Sequence, residues 1–327
     1  MRAWYRRRPV TLPLLTDARS GRQHAMAVLQ ALLVTFLWST SWVLVKIGLD
    51  DLELRPLAFA GLRYALAALI LLPFGLRAMR AAHARSPLGN RLLLRVGLYG
   101  LLFVAIAQGA QFAALDVLPA TAVSLVLSSI PVWVALMALA GRSERPTMGQ
   151  LGGIGLLSLG AFLYFGPFSV PDGALPGFLA AGTCVAAAAF SSHIGRGLAR
   201  DAIPRLGGSL GLTAGSMAAG GVALLAVSIA VEGWTMPSLG AWLIIGWLAV
   251  VNTAFAFTLW NHTLRTLTAV ESSVVNNTMT IQIAVLAVVF LAERLEAIQL
   301  TGLLLAAAGA AVVQLMPLVR ARRAATA

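Results

Sequence analysis

The sequence predicts an all-α, polytopic membrane protein whose ten transmembrane helices form two inverted five-helix repeats. Three observations carry this. The 327-residue chain is 59% hydrophobic and only 11% charged, with mean hydropathy +0.85, whereas soluble domains carry about 25% charged residues. Its apolar residues gather in ten stretches, each near the ~20 residues a helix needs to cross the hydrocarbon core. The chain also matches itself at an offset of 149 residues. Disorder is excluded, because it requires low hydrophobicity and high charge.

In chain order the stretches are 26–48, 56–76, 96–114, 120–140, 148–168, 175–194, 207–231, 239–260, 268–290 and 298–317. The Arg-rich segment 1–25 precedes an apolar run too long for a signal-peptide core of about 7–15 residues, so it reads as an uncleaved cytoplasmic tail. Connections are mostly short and leave no room for a sizeable soluble domain. The expected division is a tail at 1–25, a first repeat at 26–168, a second at 169–317 and a second tail at 318–327.

Charge sets an orientation, since cytoplasmic loops carry an excess of Lys and Arg. With the N-terminus inside and sides alternating, all 24 basic residues except Lys46, Arg55, Arg63 and Arg294 fall on the cytoplasmic side. Acids show the reverse bias: all 12 except Asp17, Glu144, Asp201 and Glu271 face outward. A miscounted helix would scramble every later alternation. The asymmetry therefore supports ten spans with both ends inside, in a cytoplasmic (inner) membrane. The net charge of +12 does not point to nucleic acid, because no basic helix or aromatic-interleaved basic stretch occurs. Cys184 is the single cysteine and lies in an apolar run, so no internal disulfide or cysteine-based metal cluster is available.

The self-match gives the architecture. Ser143-Glu144-Arg145 aligns with Ala292-Glu293-Arg294, and without a gap Gln150, Leu151, Gly153, Gly160 and Ala161 meet Gln299, Leu300, Gly302, Gly309 and Ala310. Upstream, Leu115, Leu118, Ala120, Ser124 and Ala135 meet Leu264, Leu267, Ala269, Ser273 and Ala284. Ala/Leu/Gly-rich helices inflate such matches, but Glu-Arg and Gln in one register are rare here. Five crossings per half send the second half into the membrane from the opposite side. Such inverted repeats are common in secondary transporters, with the substrate near the midplane between the repeats.

Several local patterns join this one. Span 1 holds Trp38-Ser39-Thr40-Ser41-Trp42 and Lys46-Ile47-Gly48; span 2 holds Pro56 and Leu62-Arg63-Tyr64; span 4 holds Ile130-Pro131-Val132-Trp133-Val134-Ala135. With the two Glu-Arg and Gln-x-x-Gly stretches, this ordered set resembles the EamA-type transporters of the drug/metabolite transporter superfamily, over about 26–317. The resemblance implies movement of metabolites or drugs across the cytoplasmic membrane, frequently outward, through a cavity between the halves. It leaves the solute open among amino acids, purines, sugars and others.

Polar groups in hydrocarbon are costly and face a bundle interior or a wet path, which makes them the candidate site. Ser124, Ser128 and Pro131 lie at i, i+4 and i+7 of span 4, on one helical face. Their repeat mates Ser273, Asn277 and Thr280, with Asn276 beside them, put a matching face on span 9. The two faces are expected to meet as a midplane site, and Pro131 frees a backbone carbonyl there. Interhelical hydrogen bonding is the plainer reading. Trp38, Ser39 and Trp42 are cavity or packing residues, the rings being able to stack on a planar or cationic solute. Gln108 and Gln111 on span 3 and Asn252 on span 8 complete the cavity set.

Three charged residues need separate readings. Lys46, near the outer end of span 1, either snorkels to the surface or, as the resemblance implies, gates or meets a substrate carboxylate. Arg63, about two turns into span 2, requires a partner at that depth. Pairing with Asp50, Asp51 or Glu53 is favoured over a bidentate clamp on a substrate carboxylate. Glu271 is the one carboxylate inside an apolar segment. Burial there would favour its protonated form, as a proton-coupled carrier requires; otherwise it reaches water or Arg265. Gly207, Gly211 and Gly215 in span 7, and Gly149 with Gly153 in span 5, form small-residue stripes that permit close helix approach.

A secondary transporter accounts for the inverted repeat, the paired polar faces and the lack of soluble domains. No G-x-x-x-x-G-K-[ST] loop of an ATP-driven pump occurs, since Lys46 is followed by Ile47. The alternative reading is an integral membrane enzyme, or a channel or scaffold without a transport cycle. The enzyme would need H-E-x-x-H or clustered intramembrane carboxylates and the channel symmetric rings or a filter loop, and none of these patterns is found in the sequence. The expectation is a monomeric or weakly dimeric carrier in the lipid bilayer, without cofactor or metal. It would move a small molecule by alternating access around spans 4 and 9, with a proton as the candidate coupling ion.

Overall fold

The computed structural model describes residues 18–84, 89–140, 148–165, 172–201, 203–264, 266–267 and 269–326, and the regular structure among them is helical. In hydrocarbon a backbone must satisfy its own N–H and C=O groups, which a helix does within one segment. Span 1 is Ala18–Asp50, span 2 Pro56–His83, span 5 Met148–Phe165, span 6 Leu175–Asp201 and span 7 Ser209–Val231. Span 9 is Ala269–Phe290 and span 10 is Ala297–Thr326. Span 3 runs through Asn90–Gly100, a π-helical segment Leu101–Ile106 and Ala107–Val117. Span 8 does the same through Leu239–Ala249, a π-helical segment Val250–Phe255 and Ala256–Thr263. Seven of these passes are long and apolar enough to cross a membrane; the shorter apolar helices Ala120–Val134, Val274–Phe290 and Ala297–Val313 supply spans 4, 9 and 10 among the described residues.

Several helices outrun the apolar stretches that predict them. Span 1 begins at Ala18, inside the segment read as a tail, span 6 continues to Asp201 and span 10 to Thr326. Hydropathy marks only the part in lipid, and a helical hydrogen-bond ladder does not have to stop at the headgroups. Span 4 is broken into Ala120–Leu127 and Ile130–Ala140. Pro131 has no N–H for the carbonyl four residues back, and the turn tightens instead, with Ser129 N donating to Val126 O at 3.1 Å and Val132 N to Ser129 O at 2.9 Å. Segment 1–17 and the Glu144-Arg145 copy of the repeat motif lie outside the described residues.

The halves interlock through repeat-related partners: span 2 packs along span 7, and span 5 along span 10. Small residues permit this. A Cβ on Gly153 would stand 2.9 Å from the Gly309 carbonyl, and one on Gly302 would stand 2.5 Å from the Gly160 carbonyl. Gly153 is the repeat mate of Gly302, and Gly160 of Gly309, so each contact is the image of the other. Gly207 does not start the span 7 stripe. It sits in the preceding turn with φ +72°, where a Cβ would overlap the backbone carbonyl of Ala78. Among the described residues the largest buried cluster, with Trp42, Phe59, Phe112, Leu224 and Leu248, draws on both halves.

Candidate functional site

Span 1 is the post around which buried polar groups collect. Thr35 and Ser39 stand four residues apart, hence on one helical face, and both are fully buried. Span 9 repeats the spacing with Thr278 and Gln282. Ser39 Oγ lies 2.9 Å from Gln282 Oε1 and 2.8 Å from the Thr35 carbonyl, one proton serving both acceptors. The Gln282 amide donates to Thr35 Oγ1 at 3.3 Å and to Thr278 Oγ1 at 3.0 Å. In a low-dielectric interior such a connected network holds two helices in one register.

The other side of span 1 meets the π segment of span 8. Asn252, fully buried, donates its amide to the Leu37 carbonyl and to Thr40 Oγ1. Its Oδ1 is sealed from solvent, with no donor among the described residues. Thr253 donates to the Leu248 carbonyl, five residues back, at 2.8 Å, which is the spacing of a π turn. The same hydroxyl accepts Arg63 Nε at 3.2 Å. The Arg63 guanidinium stands 5.2 Å from the Tyr64 ring centre and 6.0 Å from that of Phe112, and the Tyr64 hydroxyl donates to Gln108 Oε1 at 2.7 Å. Arg63 is only 5% exposed. Trp38 packs tilted against Phe257 and Trp260, with centroids 5.2 and 5.3 Å away, and its indole N–H is buried without an acceptor among the described residues.

The residues expected from the sequence thus fall into different places. Ser39, Trp38, Gln108 and Asn252 join the layer around span 1. Trp42 is buried in the apolar cluster, and Gln111 and Pro131 are half-buried. Spans 4 and 9 touch through Ala120–Leu127, but Ser124 and Ser128 direct their hydroxyls to the Thr121 and Leu125 carbonyls of their own helix. A serine in a helix can satisfy itself three residues back, and that is where both of these protons go. Asn276 is exposed, Asn277 and Thr280 are half-buried, and the side chain of Ser273 is outside the described set. Arg63 does not pair with Asp50, Asp51 or Glu53. Those acids sit at the bundle end, whereas span 2 carries Arg63 two turns deeper. Thr35, Tyr64, Thr253, Thr278 and Gln282 were missed; the two pairs spaced four apart were visible, but they lie on helices that the repeat does not relate.

The acidic end of the bundle is built by contacts within the first half and between the two halves. Lys46 Nζ donates to the Leu115 carbonyl at 2.8 Å and pairs with Asp50 at 3.1 Å. Glu232, closing span 7, accepts the N–H groups of Leu57 and Ala58 at 2.9 and 2.8 Å, capping span 2. Glu293 accepts Ala120 N at 2.7 Å and Thr121 Oγ1 at 2.6 Å, capping span 4. Beside Lys46 and Glu293 lies a cavity of about 450 Å³, lined also by Asp50, Asp51, Pro119 and Phe290. At the opposite end Glu271 meets His24 at 3.2 Å, with side chains 38% and 45% exposed; the pair ties span 9 to span 1.

These features define a class: an inverted-repeat membrane protein whose two halves share a buried polar layer and close on each other at one end, the architecture of carriers. The EamA-like transporter family matches residues 25–166 and 175–315, one match in each half. The chain belongs to that family, and so to a family of membrane transporters. It is 26% identical over 252 residues to "Uncharacterized transporter YoaV" of Bacillus subtilis, covering 73% of this chain and 80% of the relative. It is 29% identical over 241 residues to "Uncharacterized inner membrane transporter YedA" of Escherichia coli, covering 70% and 71%. A stretch of 137 residues is 32% identical to "Probable amino-acid metabolite efflux pump" of Salmonella typhimurium, covering 41% and 40%. One solved structure superposes with TM-score 0.58 at 20% identity, covering 89% of this chain and 98% of its own. That likeness carries the fold alone.

Proposed function

We propose that the protein exports a small organic metabolite across the cytoplasmic membrane by alternating access of its two halves, with both termini inside. The observation that carries this is the polar layer near the middle of the spans, to which spans 1, 2 and 3 contribute from one half and spans 8 and 9 from the other. Buried polar side chains at that depth mark solute paths, and a layer divided between two repeats changes shape when the repeats rock. The wording of the Salmonella relative's name supports outward movement and an amino-acid-like solute. Cells overproducing the protein are expected to tolerate inhibitory amino acids and metabolite analogues at raised concentration. Gln282→Leu should abolish that tolerance at normal protein levels, because Thr35 and Ser39 keep their backbone acceptors and the helix pair survives. Equal tolerance in the variant would remove the span 1–span 9 network from the path.

Glu271 contacts His24 where span 9 meets span 1, with exposed Arg22 nearby in sequence, and Glu271 is the proposed coupling residue. Glu271→Gln is expected to abolish pH-gradient-driven uptake in proteoliposomes while downhill flux persists. Unchanged gradient dependence would leave the pair a tether.

A further inference from the structure

We propose that Arg63 anchors a carboxylate of the transported solute, so that the carrier selects carboxylate-bearing molecules over their amides. The inference rests on the transport reading above and names the substrate chemistry of its site.

An arginine is charged at every accessible pH and presents five N–H donors. At 5% exposure within a membrane span, such a cation is expensive unless an acceptor or anion meets it. Among the described residues one hydrogen bond meets it, from Nε to Thr253, and no carboxylate lies in ion-pair range. Acids at the end of the bundle are committed elsewhere: Asp50 to Lys46, Glu232 to the start of span 2, and Glu293 to the start of span 4.

The guanidinium is also held in place. Thr253 cannot swing away from Nε, because its own proton is fixed on the Leu248 carbonyl. Tyr64 lies against the guanidinium, and its hydroxyl is locked on Gln108. With Nε engaged, the two terminal nitrogens remain as a fixed fork, the edge that binds a carboxylate through parallel hydrogen bonds. A strut between spans 2 and 8 would need only the Nε contact, which a neutral side chain can imitate. A planar cation with its fork unmet is an anion receptor. A site with such unmet groups rejects analogues that cannot satisfy them, so discrimination falls on the carboxylate itself.

The test is thermal unfolding of the purified full chain in detergent with matched probes: L-phenylalanine and L-phenylalaninamide, phenylacetate and phenylacetamide, L-leucine and L-leucinamide. At least one acid is expected to raise the unfolding midpoint while its amide does not. Arg63→Gln should weaken the apparent affinity for that acid at least about tenfold, the loss expected for hydrogen bonds to a charged group. Arg63→Lys keeps the charge without the fork and should fall between. No stabilisation by any acid, equal stabilisation by the amide, or an acid preference that survives Arg63→Gln would each overturn the proposal. Variants that only lower the ligand-free midpoint and leave the preference intact would show a strut, which also overturns it. Because binding is read on purified protein, absence of metabolite tolerance in cells would count against transport and leave the anchor standing.

Discussion

Gly160→Leu is expected to leave a chain that inserts but does not hold spans 5 and 10 together. At this position a Cβ already overlaps the Ala306 nitrogen and the Gly302 carbonyl, both backbone atoms. Neither can swing aside as a side-chain tip would, so the helices must part along their length. Parting undoes the reciprocal contact at Gly153 and Gly309 as well, since both crossings lie on one seam. Lipid-facing association has no hydrophobic drive between helices and depends on close packing, so the loss is not recovered elsewhere. Overpacking a tight core commonly costs about 1–3 kcal/mol, and a backbone clash falls at the upper end. The measurement is the yield of monodisperse protein by gel filtration and its thermal midpoint. Gly155→Leu is the control: a Cβ there meets nothing within 4 Å. If the two variants behave alike, the seam is not what joins spans 5 and 10.

The second large effect is expected from removing the two glutamates that bridge the halves at the acidic end. In Glu232→Ala plus Glu293→Ala, the first N–H groups of spans 2 and 4 lose their carboxylates. Those groups have no partner within their own helix, and the positive end of each helix dipole favours the anion. Hydrogen bonds to a charged group contribute about 1.5–3 kcal/mol, so losing two caps is expected to favour parting of the halves at this end more than tenfold. Leu118→Cys, placed at the wall of the 450 Å³ cavity in a Cys184→Ser background, should become more reactive toward an impermeant maleimide in the double variant. Transport should fall in parallel. Unaltered labelling and flux would make the carboxylates surface decoration.

Much of the architecture was legible because its causes are local. Runs such as 209–231 are apolar for as long as lipid surrounds them, and Gln150 with Gly153 meeting Gln299 with Gly302 declares the duplication. The site was less legible, because partners are chosen by packing. Ser124 and Ser128 carry the same four-residue spacing as Thr35 and Ser39, and all four hydroxyls reach carbonyls of their own helix, yet only the second pair also meets a glutamine on span 9. Proximity in sequence suggested Asp50, Asp51 or Glu53 for Arg63, but its fixed contact is Thr253 on span 8. The glutamate capping span 2 likewise comes from the end of span 7. No periodicity carries such distant pairings.

The wide turns at Leu101–Ile106 and Val250–Phe255 occupy one register, 149 residues apart, although the two segments have little composition in common. This agreement makes the widened turn a property of the repeated unit rather than of either copy alone. The two copies share this loosened coil and furnish it differently, the first with apolar groups alone and the second with the Asn252 amide and the Thr253 hydroxyl. A scaffold with one repeated coil thereby carries an unequal lining, apolar in one copy and polar in the other.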